Sequence, residues 1–127
     1  MNIFNILVPK HMLTYLNAND GLDKAVEFML ASGYTAVPVI NDEGMYIGVV
    51  SEGDFLRIIM DKGKEKLTDY KVSDIVRDDK DGSVPNTVSK QEVYDKILDR
   101  NFLCVVDDRQ CFIGIITRKS VIIELNK

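Results

Sequence analysis

Cysteine, histidine, excess positive charge and long apolar runs are all scarce in this sequence, and each shortage narrows what the chain can do. Its 127 residues include two cysteines, Cys104 and Cys111, and one histidine, His11. Two cysteines do not make a disulfide framework. Both fall in an apolar stretch that reads as strand, turn and strand, where they are expected as small core hydrophobes. A redox pair or a partial metal site is the alternative. One histidine without a Cys or His cluster cannot build a metal site, and His11 reads as a surface residue. No apolar run approaches the roughly 20 residues that cross a bilayer. The segment Met1 to Lys10 also lacks the charged-then-apolar plan of a secretion signal, so a cytoplasmic location is expected. With 16 Lys and Arg against 20 Asp and Glu, the net charge is −4. Nucleic acids and membrane surfaces recruit positive charge, so neither is expected as a partner. Catalysis is not expected either. There is no Gly-rich phosphate loop ending in Lys-Ser/Thr, and no Ser or Cys stands in a recognisable motif with a base.

What the chain has is apolar content and a repeat. Hydrophobic residues make up 46%, enough for one compact domain or two half-size units sharing a core. The run Val37 to Ser51 aligns without gaps on Leu103 to Thr117 at a constant offset of 66 residues. Apolar positions coincide, Asp42 falls on Asp108, Gly48 on Gly114 and Ser51 on Thr117. A weaker echo sets Ile6-Leu7-Val8 against Asp74-Ile75-Val76. Self-similarity of this kind marks a duplicated supersecondary unit.

Each copy predicts the same elements. In the first, Asp20 is the expected N-cap of a helix carrying Leu22, Ala25, Val26, Met29 and Leu30 at three-and-four spacing and ending near Gly33. Two β-rich runs follow, Thr35 to Ile40 and Tyr46 to Val50, joined by an Asn-Asp-Glu-Gly turn. A second helix then spans about Glu52 to Met60, with Phe55, Leu56 and Ile59 on one face. The second copy has Ser89 as a cap, a helix to about Arg100 carrying Val93, Ile97 and Leu98, strands Phe102 to Val106 and Phe112 to Thr117, and a helix from Lys119 to Leu125. Short opening strands are expected near Thr14 to Leu16 and near Val84. Pro85 cannot donate to a ladder, so the second of these must be short or at an edge. Asp61 to Tyr70 reads as a polar linker and Arg77 to Ser83 as solvated loop. The expected division is residues 1–66, with a lead segment, and residues 67–127.

This pattern resembles a tandem pair of cystathionine-β-synthase-type (CBS) domains, a Bateman module. The residues that carry the likeness are Gly33 to Ile40, Tyr46 to Asp54 and Phe112 to Lys119, and it extends over nearly the whole chain. More loosely, Gly33 to Ile40 and Phe102 to Arg118 look like stand-alone bacterial CBS pairs, some of which bind cyclic di-AMP. The resemblance implies an α/β (α+β) fold of two βαββα repeats about a pseudo-twofold axis, with clefts between them, and pairing into a homodimer. It also implies a non-catalytic role regulating a protein partner. No cofactor is required, and the expected ligand is an adenine nucleotide, AMP, ADP, ATP or cyclic di-AMP. S-adenosylmethionine is another ligand of the family.

Thr35-Ala36-Val37-Pro38 offers a flat apolar slot for adenine: Ala36 is small and Pro38 removes a ladder donor. Tyr34 is placed to cover the ring. On spacing alone the same run reads as a core strand. Ser51-Glu52-Gly53-Asp54 lies where a strand gives way to a helix, so free backbone N–H groups gather there. By resemblance, Ser51 contacts phosphate and Asp54 takes the ribose hydroxyls, as a carboxylate with two acceptor oxygens is able to. A plain capping arrangement explains the same residues, and both roles are compatible. In the second copy the equivalent run is Thr117-Arg118-Lys119-Ser120, with Ser120 in place of the ribose-binding aspartate. A complete second site is therefore not expected. Arg118, whose planar fork suits phosphate, and Lys119 are expected at the rim of the first. Thr14 is carried as a further lining residue.

Overall fold

The computed structural model describes residues 2–127, apart from the side chain of Lys80. In chain order the strands are β1 (Leu7–Pro9), β2 (Leu16–Asn17), β3 (Ala36–Ile40), β4 (Tyr46–Ser51), β5 (Ser83–Pro85), β6 (Phe102–Val106) and β7 (Phe112–Thr117). The helices are α1 (Leu22–Ser32), α2 (Glu52–Lys62), α3 (Lys90–Ile97) and α4 (Arg118–Leu125). Both sheets repeat one plan. In the first, β2 lies parallel to β3, and β3 is antiparallel to β4. In the second, β5 lies parallel to β6, and β6 is antiparallel to β7. Each hairpin slips register at an equivalent place, between Val39 and Ile40 and between Val105 and Val106. The turns use the same chemistry. The Asn41 amide oxygen accepts from the N–H of Glu43 and Met45, and the Asp107 carboxylate accepts from Arg109 and Cys111. An offset of 66 residues thus reproduces strands, slips and turns.

The two compact units do not follow the expected boundary at 66/67. One is Thr14–Asp79; the other joins the residues through Leu13 to Lys80–Lys127. Met1, which fell within the expected first repeat, lies outside the described residues. The physical reason is the outer edge of each hairpin, which takes a strand from the segment preceding the other copy. β1 pairs antiparallel with β7 through Val8↔Ile115 and Pro9↔Gly114. The counterpart is the bridge Val49↔Arg77. The echo noted in the sequence is real, but its register moves by one residue, because Val8 corresponds to Arg77 rather than Val76. Both repeated glycines are explained by this crossing strand. A side chain on Gly48 would collide with the Arg77 carbonyl, and one on Gly114 with the Val8 carbonyl.

The segments expected as linker and loop are structured. Lys64–Asp69 and Val72–Asp74 are short 3-10 turns that bury Leu67 and Val72 in the core with Leu16, Leu22 and Phe55. Arg77 is a ladder residue, and the Tyr46 hydroxyl donates to the Asp79 carbonyl at 3.2 Å. In the other unit Ile3 and Ile6 join Leu103, Val105 and Ile116 in the core.

Helix boundaries and faces differ from expectation, and α4 begins at Arg118 rather than Lys119. Gly21, not Asp20, is the N-cap of α1, since the Asp20 carboxylate accepts instead from the Asn17 N–H at 2.9 Å. α3 stops at Ile97 rather than near Arg100. Leu30, Leu56 and Leu98, expected on buried faces, are exposed. Neighbouring residues on a helix point about 100° apart, so a pair such as Met29 and Leu30 cannot share one narrow contact line. Gly33 ends α1 with φ 74°, the left-handed cap a glycine adopts without strain. Ser89 caps α3 as expected, accepting from Glu92 N–H. β5, with Pro85, is the edge of its sheet. Cys104 is buried in β6 opposite Ile115, and Cys111 is partly buried ahead of β7.

Candidate functional site around Ser51 and Asp54

The chain turns from β4 into α2 at Ser51, whose extended backbone ends the ladder opposite Ala36. Its hydroxyl accepts from the Asp54 N–H at 3.3 Å, and the Asp54 carboxylate accepts from the Ser51 N–H at 2.7 Å. This reciprocal capping box satisfies two donors that a helix start leaves open. The next N–H, of Glu52, donates to the Thr35 carbonyl at 2.9 Å, which ties the junction to the start of the β3 run.

Asp54 is buried at 6% exposure, the one charged or polar side chain so placed among the described residues. Its Oδ2 accepts from Ser51 N–H, from the Ser51 hydroxyl at 3.0 Å and from Arg77 Nε at 3.3 Å. Its Oδ1 accepts from an Arg57 Nη at 2.6 Å. Burying a carboxylate is tolerable only with such partners. Arg57 lies one helical turn on from Asp54. Arg77 arrives from the crossing segment, where its backbone N–H and C=O both bond to Val49 at 3.0 and 3.1 Å. Its guanidinium also reaches the Ser51 hydroxyl at 3.5 Å. A pocket of about 520 Å³ opens beside this cluster, lined by Asp54, Arg57, Ile58, Asp61 and Ile75. Of the residues expected from the sequence, Asp54 lines this pocket, with Arg57, Asp61 and two isoleucines, while Ser51 and Arg77 contact Asp54. Carboxylates and a guanidinium beside apolar isoleucines suit a small polar ligand with an apolar face.

The unit Thr14–Asp79 holds Thr14, Tyr34, Thr35, Ala36, Pro38, Ser51 and Asp54. Ala36 pairs directly with Ser51, Pro38 is buried opposite Val49, and Thr35 meets the first turn of α2. Tyr34 is half exposed, and Thr14 is partly buried. Thr117, Arg118 and Lys119 belong to the other unit. There Thr117 caps α4, accepting from Ser120 N–H at 3.0 Å while the Ser120 hydroxyl accepts from Thr117 N–H at 3.0 Å. The substitution of Ser120 for aspartate therefore keeps the capping box and loses the carboxylate. Arg118 donates to the carbonyls of Ile97 at 3.0 Å and Leu98 at 2.8 Å. It thereby caps the C-terminus of α3, where unpaired carbonyls favour a cation. Lys119 and His11 are exposed.

Sequence reasoning passed over Arg57 and Arg77. Arg57 was within reach, because residues three apart on a helix share a face. Arg77 had no local signal, being brought to Asp54 only by its bridge to Val49.

Two duplicated hairpin-and-helix units, each ending in a hydroxyl-capped strand-to-helix junction, define the class of small paired α/β modules. The chain belongs to the CBS domain family. The family model for the CBS domain matches residues 7–61. A solved CBS domain protein of Streptococcus pneumoniae TIGR4 is 31% identical, with a TM-score of 0.88 over 98% of this chain and 86% of that one. Cyclic di-AMP receptor B of Bacillus subtilis (strain 168) is 24% identical over 127 residues, covering 95% of this chain and 84% of that protein. The Listeria monocytogenes CbpB protein, solved in complex with c-di-AMP, shares the fold with a TM-score of 0.87 at 23% identity, covering 99% of this chain and 96% of that one.

Proposed function

We propose that this chain is a non-catalytic regulatory module that binds an adenine nucleotide at the Ser51–Asp54 junction and passes that state to a protein partner in the cytoplasm. One observation carries the reading: a buried carboxylate at a strand-to-helix junction, with acceptor capacity left on Oδ1, beside an open pocket. A carboxylate of this kind holds a vicinal diol through two hydrogen bonds. Ala36 and Pro38 supply the flat wall for the base, Tyr34 and Thr35 its rim, and Thr14 a further edge. Thr117, Arg118 and Lys119 are assigned as ligand residues on the family pattern. No cofactor is needed for binding alone. The reading of two repeats at 1–66 and 67–127 is kept for the duplicated sequence, while the folded units exchange their lead segments.

Cyclic di-AMP is the second reading within the same class, favoured by the end-to-end likeness to a Bacillus subtilis protein named as its receptor. A homodimer is part of the proposal. Leu56 and Met60 on α2 are exposed apolar residues at helical spacing, as are Ile122 and Leu125 on α4, and exposed apolar faces of this kind favour association.

Thermal-shift and calorimetric titrations with AMP, ADP, ATP and cyclic di-AMP test the reading. Ligand at 100 times its dissociation constant stabilises the fold by about 2.7 kcal/mol. Asp54→Ala should weaken binding by about tenfold or more, equivalent to about 1.4 kcal/mol. No response to any of the four at millimolar concentration leaves a ligand-independent interaction module instead. Unchanged affinity in Asp54→Ala removes the ribose assignment.

A further inference from the structure

We infer that Arg57 competes with the ligand's ribose for the Asp54 carboxylate, so that the chain itself limits how tightly its site grips a vicinal diol. The inference rests on the nucleotide reading above and deepens it by naming a residue that holds affinity down. It follows from the acceptors that Asp54 has to offer. A carboxylate oxygen carries about two lone pairs. Oδ2 already accepts from the Ser51 N–H, the Ser51 hydroxyl and Arg77 Nε. Oδ1 accepts from Arg57 alone, at 2.6 Å. One hydroxyl of a diol can share Oδ1 with that guanidinium. The second finds no acceptor on Asp54 unless a donor already there withdraws.

These donors differ in their freedom to leave. The Ser51 N–H is backbone, held by the reciprocal cap at the start of α2, and the Ser51 hydroxyl belongs to the same cap through the Asp54 N–H. Arg77 is anchored behind its side chain by both hydrogen bonds to Val49. Arg57 reaches Asp54 only with the tip of a side chain that is 69% exposed, so water can take over its N–H groups. Asp61, four residues further along α2 and lining the same pocket, offers the departing guanidinium a second carboxylate on the same helix face. The incoming hydroxyls keep the Asp54 oxygens hydrogen-bonded, so the loss is confined to an ion pair whose cation is largely solvated. Pairs of that kind are worth little in water, and displacing this one costs about twofold to fivefold in ligand affinity.

The test is calorimetric titration of the full chain with AMP and with its 2′,3′-dideoxy analogue, at one ionic strength. The ratio of the two affinities isolates the diol, because base and phosphate are common to both ligands. The proteins compared are the wild type, Arg57→Gln, Arg57→Lys and Arg77→Gln, with melting curves to check that each is folded. In the wild type the ratio should be about tenfold. In Arg57→Gln it should rise by about a further twofold to fivefold, with Arg57→Lys between the two. Arg77→Gln should not raise it, since that arginine sits on the oxygen the diol does not take. A ratio that is unchanged or lower in Arg57→Gln, or that rises as much in Arg77→Gln, overturns the inference while nucleotide binding stands. Cyclic di-AMP is titrated alongside: its binding without any binding of AMP overturns the inference and keeps the nucleotide reading. Absence of binding by all three compounds in every protein overturns both.

Discussion

Gly48→Ala tests the crossing strand on which both the unit boundary and the site depend. A methyl group at Gly48 would lie well inside contact distance of the Arg77 carbonyl oxygen, 2.9 Å from its carbonyl carbon and 3.2 Å from Val76 Cγ2. The first two atoms are backbone, so no side chain can rotate away, and the 76–77 segment must retreat on the order of 1 Å. That movement breaks both hydrogen bonds between Val49 and Arg77, at 3.0 and 3.1 Å, worth about 1 kcal/mol each. It also draws the Arg77 guanidinium from Asp54, a half-exposed pair worth up to about 1 kcal/mol. The total, about 3 kcal/mol, sits at the upper end of the usual cost of overpacking, and corresponds to a fall in melting temperature of roughly 10 °C. Gly33→Ala is the control. Gly33 has a positive φ of 74° but nothing within 4 Å of an added methyl group, so only left-handed strain of about 1 kcal/mol applies. Urea denaturation followed by circular dichroism compares the two. If Gly48→Ala unfolds at the wild-type midpoint, or no earlier than Gly33→Ala, the crossing strand does not hold the unit as described.

Leu67→Ala should cost about 2–5 kcal/mol in the same denaturation assay, because the side chain is 4% exposed in the core; a solvated linker would change stability by about 0.5 kcal/mol at most. Arg118→Ala should lower stability by about 0.5–1.5 kcal/mol through its lost hydrogen bonds to the carbonyls of Ile97 and Leu98, and a loss of nucleotide affinity beyond that would support its assignment to the ligand. Gly53→Ala, with Arg57 Nη1 as its nearest neighbour at 3.4 Å, should raise the melting temperature, since alanine is favoured over glycine in a helix by about 0.8–1 kcal/mol.

Most of the local structure was legible in the residues. The β-rich strand runs, the turn carrying Asn41 and its counterpart Asp107, the glycine end of α1 and the hydroxyl caps at Ser51 and Ser89 all rest on interactions spanning a few positions. Such interactions are encoded where they act. The capping box at Ser51 and Asp54 belongs with them, since both residues lie within one helical turn. The errors also have a common origin. Asp20 offered good capping chemistry but closed a tighter turn with Asn17. Leu30, Leu56 and Leu98 had suitable spacing but are exposed.

Tertiary structure decided what depends on segments far apart in the chain. Leu67 and Val72 lie in polar surroundings in the sequence yet complete a core, because the edge of each hairpin is open until a distant segment closes it. The same pairing brings Arg77 to Asp54 across 23 positions and turns a capping motif into a charged pocket. Short-range hydrogen bonding therefore specified the duplicated hairpins, while the pairing of each open strand edge, a long-range event with no local signature, set the unit boundaries and the electrostatics of the site.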